Sequence, residues 1–204
     1  MKNQTEYRDF PVEIRIDGAE GESKKIVGHA AVFDTMITLY PGVKERVAKG
    51  AFVDSIAKDD VRALFNHDPN FVLGRNTSGT LKLSEDDKGL LYEVDPPDTQ
   101  QARDVVALIK RGDISQNSFG FRVIDQAWDE ELDGTLIRTL NKVKLYDVSP
   151  VTYPAYPTTD LKLRSEADLR KEAAEALKKP GRSIATFDRE TELKKREFEI
   201  FLDN

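Results

Sequence analysis

The chain contains no cysteine, which excludes disulfides, thiolate metal sites and cysteine nucleophiles together. Only two histidines are present, His29 and His67, so a reaction that needs an imidazole base must draw on one of them. No apolar run approaches the roughly 20 residues needed to cross a bilayer, and the opening MKNQTEYRDF has no apolar signal core. A soluble, unsecreted protein with no membrane partner is expected. Basic residues are interspersed with acids, the formal charge is -6, and no polybasic face is evident, so nucleic acid is not an expected partner. There is no H-E-x-x-H helix to hold a metal, and GRNTSG (74–79) is not followed by a Lys-Ser/Thr pair, so it is not a phosphate loop. No cofactor is called for.

What is present suffices for one core. The 204 residues and 39% hydrophobic content fit a single domain with an appendage, and 33% charged residues place part of the chain outside that core. Val12, Ile14 and Ile16 alternate with polar residues as a half-buried strand does, up to Asp17-Gly18. Ile26 to Phe33 is a denser apolar run, suited to a strand buried on both faces. AFVDSIAK has the spacing of a short helix, and VRALFNHD (61–68) reads as a strand ended by Pro69-Asn70, with His67 at its end. TLKLSEDDKGLLYEV (80–94) predicts a hairpin, and Asp98 or Thr99 caps a helix through Lys110 that Gly112 stops. ISQNSFGFRVI (114–124) and TLIRTLNKVKLYDVSPVTYP (135–154) read as strands joined by a turn at Asp133-Gly134. Six to eight short strands with two internal helices predict a mainly β fold with flanking helices, a closed or nearly closed β-barrel. The character changes after Pro154: Ser165 to Lys179 reads as a charged helix, Pro180-Gly181 ends it, and RETELKKREFEIFLD follows. The expected division is a barrel domain over 1–160 and a charged helical tail over 161–204 that serves as a tether or self-cleavage segment.

Three side chains stand out chemically. Ser118 in DISQNSFGF has a glycine two positions on, and a nucleophilic serine needs an exposed hydroxyl with nearby amides to hold an oxyanion. Most Ser-x-Gly segments, however, are turns or bulges. His67 in LFNHD has Asp68 beside it, but successive strand side chains point to opposite faces, so an orienting acid should come from elsewhere. Taken alone, this segment reads more readily as a surface histidine in a turn. His29, between Gly28 and Ala30-Ala31, reads as a packed or rim residue. Asp147 in LYDVS is an acid among apolar neighbours, where a buried carboxylate must find a partner, or else it lies on the exposed face of its strand.

Taken together, GHAAVFD (28–34), GAF (50–52), LFNHD (64–68), VLGR, SGTLKL, DDKGLLYEV, RGDISQNSFGF (111–121) and LYDVSPVTYPAYP (145–157) resemble, in order, the tailed-phage prohead protease family. That family is a distant relative in fold of the herpesvirus assembly protease. The likeness implies a barrel of that type with Ser118, the serine before Phe-Gly-Phe, as nucleophile, His67 as base and Asp147 as third member. The amides near Phe119 and Gly120 would hold the oxyanion. It also implies cleavage of the major capsid protein's scaffold-like segment and of the enzyme itself. The setting it implies is the immature shell in the infected bacterium's cytoplasm, and dimerisation is suggested by the herpesvirus relatives. Two departures stand out: His29 where an aromatic is more usual, and Pro150 where an aliphatic is frequent. A non-enzymatic scaffolding or capsid-binding module on the same fold is the competing reading.

Overall fold

The computed structural model describes residues 5–10, 12, 14–18, 24–153 and 164–178. Eleven strands and three α-helices are found among them. The longest elements are strands β10 (Gln116–Glu130) and β11 (Leu136–Val151), which pair antiparallel along nearly their whole length. The turn between them contains Asp133-Gly134, where Gly134 takes φ 83°.

Both long strands serve several short partners. On the outer edge of β10 lies β1 (Glu6–Phe10), antiparallel. The outer edge of β11 is shared: its first part pairs in parallel with β5 (Val43–Val47), which carries β4 (Ile37–Tyr40), and its last part pairs in parallel with β6 (Arg62–Phe65), which carries β7 (Asp68–Arg75). A second sheet has the order β2 (Ile14–Asp17), β3 (Lys25–Val32), β9 (Gly89–Val94), β8 (Leu81–Glu85). One parallel bridge, Phe33 with Val47, joins the two sheets.

The expected closed or nearly closed barrel is corrected in one respect: it is not closed, and the strands form two sheets joined by that bridge. Closure requires a hydrogen-bonded neighbour on both sides of every strand. Among the described strands, β1, β4 and β7 end the first sheet and β2 and β8 end the second. The hydrophobic core joins them, with Ile26, Ala30, Leu90, Tyr92 and Val94 of one packed with Phe10, Phe119, Phe121, Leu145 and Val148 of the other.

Helix α1 (Val53–Lys58) and helix α2 (Gln100–Arg111) flank this core as expected. In α2 the Thr99 hydroxyl caps the Ala102 amide, Ala102, Val105 and Ile109 are buried, and Gly112 closes the helix at φ 86°. Helix α3 (Glu166–Leu177) begins at the Ser165 cap, as expected. Its Leu169 and Ala173 are fully buried against Leu39, Val43 and Trp128, so this helix packs on the first sheet. The expected boundary near 160 and the stretch beyond Lys178 lie outside the described residues.

Sequence patterns missed four strands. EYRDF has no apolar alternation to mark a strand, because its buried face carries two charges: Glu6, Arg8 and Phe10 point inward. Strands β4, β5 and β7 are short or edge strands with little alternation to detect. Pro69-Asn70 does not end the strand before it; β6 stops at Phe65, and Pro69 lies inside β7, whose outer edge needs no donor there. The departure at Pro150 leaves pairing intact, since β11 continues opposite β10 with Pro150 facing Asn117.

Candidate active site

Strand β10 runs between β1 and β11 where the Asn117–Phe121 segment is buried on both faces. Alternation sends Phe119 and Phe121 to the core and Ser118 and Gly120 to the other side. Directly opposed residues of antiparallel strands share a face. Ser149 opposes Ser118 and Asp147 opposes Gly120 from β11, while Asp9 and Tyr7 do so from β1. The register thus collects Ser118, Asp147, Ser149 and Tyr7 on one face.

His67 arrives from the turn between β6 and β7. Phe65 pairs with Asp68, so Asn66 and His67 form a two-residue hairpin loop, and both have positive φ, 54° and 58°. This is the pattern of the primed turns that match strand twist; asparagine adopts it readily, whereas a histidine there is held at a cost of order 1–3 kcal/mol. Asn66 supplies the restraint. Its amide donates to the Pro150 carbonyl (3.0 Å), its side-chain oxygen accepts from the Thr152 amide (2.8 Å), and its Nδ2 donates to Thr152 Oγ1 (3.1 Å). The turn is thereby fastened to the end of β11, and the imidazole lies over the two long strands.

There the histidine bridges the other two groups. Its Nδ1 is 2.5 Å from Asp147 Oδ1 and its Nε2 is 2.7 Å from Ser118 Oγ. The Ser149 hydroxyl, fully buried, donates to the same Asp147 oxygen at 2.8 Å. Asp147 Oδ2 lies over Gly120, where a Cβ would fall 2.3 Å from it. Side-chain exposure is 5% for His67 and 8% for Asp147, and Ser118 is fully buried. A carboxylate in so dry a setting needs its lone pairs occupied. With Asp147 ionised, Nδ1 carries the proton and Nε2 is the free base facing the serine.

The three residues singled out from sequence are thus brought together, from three separate parts of the chain. Asp68 instead accepts from the Asn70 amide and Nδ2, pointing away from this chain of bonds. His29 pairs with Asp86 at 2.8 Å in the second sheet. Phe119 and Gly120 sit where β10 has neighbours on both sides, Arg8 and Val148 for the first, Tyr7 and Asp147 for the second. The register of β10 with β11 shifts between Gly120 and Phe121, so the ladder is irregular beside the amides expected to hold an oxyanion. The geometry gives Gly120 another task, clearance for the Asp147 carboxylate. Sequence reading did not single out Ser149, Asn66 or Tyr7. The Asn of LFNHD was a usable turn signal, obscured because histidine stands where glycine is usual.

The prohead protease of Escherichia phage T5 is 33% identical over 91 residues, which are 45% of this chain and 40% of the T5 protein; the match spans less than half of that relative's length. The capsid assembly protease gp21 of bacteriophage T4 aligns over 74% of this chain and 98% of its own, at 13% identity and a TM-score of 0.46. Residues 10–173 match the caudovirus prohead serine proteases, and the chain belongs to that family.

Proposed function

We propose that this chain is a serine endopeptidase of capsid maturation, with Ser118 as nucleophile, His67 as general base and acid, and Asp147 as the group that orients the imidazole. The observation that carries the reading is the continuous hydrogen-bonded path Ser118 Oγ, His67 Nε2, His67 Nδ1, Asp147 Oδ1. Membership of the prohead protease family supports it independently.

In the proposed reaction Ser118 Oγ attacks the scissile carbonyl carbon as its proton passes to His67 Nε2. The resulting imidazolium is stabilised by Asp147, which stays ionised. The C–N bond then breaks, Nε2 gives its proton to the departing amine, and an acyl ester on Ser118 remains. Water attacks that ester, losing a proton to Nε2, which returns it to Ser118 Oγ.

The substrates in this reading are the scaffold-like segment of the major capsid protein and the chain itself, processed within the immature shell in the infected cell. The tether or self-cleavage segment, expected over 161–204, is narrowed in this reading to the part beyond α3, because Leu169 and Ala173 of α3 pack on the first sheet, and two copies associate. Co-expression of wild type and Ser118→Ala with the cognate capsid protein, followed by mass spectrometry of the products, tests it. The wild type should yield defined cuts, Ser118→Ala none, and Ser115→Ala near-normal cutting. Equal cutting by Ser118→Ala would refute the assignment, and shell assembly without any cleavage would favour a scaffolding role.

A further inference from the structure

Two hydrogen bonds at opposite nitrogens leave an imidazole one easy motion, rocking about the line that joins them. In this site an aromatic ring opposes that motion. The Tyr7 ring meets His67 with centroids 4.4 Å apart and planes at 63°, an edge-to-face contact. We infer that Tyr7 is a positioning residue, whose ring holds the His67 imidazole in the plane that joins Asp147 to Ser118; the inference rests on the proposed roles of those three.

Several features fit Tyr7 to this task. It opposes Gly120, and a Cβ at Gly120 would come within 2.9 Å of Tyr7 Cε1, so the glycine makes room for the ring as well as for Asp147. Burial first, and the Asp147 charge second, push the phenol above its ordinary pKa, which agrees with a ring enclosed beside the carboxylate. The strand beneath is unusually well anchored. On the opposite face of β1, Arg8 is buried between Glu6 and Glu45, and Phe10 stacks with Phe119 at 6.2 Å. Arg8 Nη1 also donates to the Tyr7 carbonyl at 2.7 Å, tying the buried cluster to the residue that touches the histidine. Strand β1 is thus a rigid mount.

The test uses the full chain as wild type, Tyr7→Phe and Tyr7→Leu. Two measurements are made: saturation kinetics of Ser118 labelling by a fluorophosphonate, and the low-field proton NMR signal of the imidazole Nδ1–H. Loss of the ring should lower the maximal labelling rate about 10–100-fold in Tyr7→Leu, since misplacement of about 1 Å can cost about 10²-fold. The half-saturating concentration should change less than about threefold, and the low-field proton should broaden away through exchange. Tyr7→Phe, which keeps the ring, should restore both within about threefold. The inference is overturned if Tyr7→Leu retains rate and proton signal, or if Tyr7→Phe is as impaired as Tyr7→Leu. Should Tyr7→Leu unfold, as emission from Trp128 reports, Tyr7→Met replaces it. If the wild type takes no label, the protease reading fails, while the proton signal across the variants still decides whether Tyr7 holds His67.

Discussion

Strand β1 separates two buried polar clusters of opposite kinds. On its inward face Glu6, Arg8, Glu45 and Arg138 form a closed group of two anions and two cations, all at most 3% exposed, with ion-pair distances of 2.6–2.9 Å. On its other face Tyr7 covers the line Ser118–His67–Asp147. In the first cluster every charge is matched several times over: Arg138 binds Glu6, Glu45 and Gln126, and Arg8 binds both glutamates. No proton can leave it cheaply. The second holds one carboxylate, one titratable ring and one hydroxyl in a row, so a proton can pass along it without separating charge far. Saturation with charge gives rigidity, and a chain of single hydrogen bonds gives chemistry.

The sharpest way to break this contrast is Asp147→Asn. The shape survives, but the amide cannot fix the Nδ1–H tautomer, and cleavage should fall about 10²–10⁴-fold with little change in melting temperature. Asp68→Asn, one residue from His67 in sequence, should cost far less. Rates of capsid-protein cleavage by the two purified variants check the order; the reverse order would make Asp68 the partner of His67.

Arg138→Met should act the other way, on stability before rate. It leaves Glu6 and Glu45 with one shared arginine, an uncompensated buried charge worth about 3–5 kcal/mol. Trp128, the only tryptophan, lies 6.0 Å from the Arg138 guanidinium and reports the transition in urea. Acid should probe the same cluster in wild type. Burial alone would raise the Glu6 carboxyl, but the Arg8 charge and the Arg138 hydrogen bond outweigh it and hold it at about 2, below its ordinary 4.5. A lowered folded value means stability that is present above pH 4.5 and lost as pH falls through about 2. Melting temperature measured across that window should decline in wild type and less steeply in Glu6→Gln.

Truncation after residue 160 removes α3 and uncovers Leu39, Val43 and Trp128, and should destabilise the chain by about 2–4 kcal/mol at ~25 cal/mol per Å² of apolar surface. Truncation after Lys178 should leave the melting temperature nearly unchanged, and equal melting of both would show that α3 adds nothing to the body. The smallest effect is expected from Ser149→Ala. It deletes one hydrogen bond to Asp147 and should slow cleavage about tenfold, the worth of a single bond to a charged group.

The strands that carry Ser118 and Asp147 were legible because their aromatic and β-branched residues flank an Asp-Gly turn, although β10 runs on to Glu130, past the expected end at 124. The hairpin β8–β9 and the capped helices α2 and α3 were legible for similar local reasons. Strand β1 was not, because its buried face carries Glu6 and Arg8, whose charges are fully matched only once Glu45 and Arg138, far along the chain, join them. The role of Gly120 was also hidden. Ser-x-Gly suggested close backbone approach, but what approaches is the Asp147 carboxylate of the neighbouring strand.

By itself the amino-acid sequence determined which chemistry is open to this protein: without cysteine and with two histidines, an imidazole-assisted serine was among few choices, and its ordered motifs resemble one family. Periodicity and turn residues, which act over a few positions, determined most elements near the site. Only the tertiary structure decided that the strands form two sheets rather than a closed barrel, and that Asp147 rather than Asp68 meets His67. It also decided that Tyr7 and Ser149 complete the surroundings of that pair. Those outcomes depend on strand register and on partners 51 to 80 residues apart, as in the two bonds of His67. A local pattern holds no record of such distances; the pairing of β1, β6, β10 and β11 supplies it.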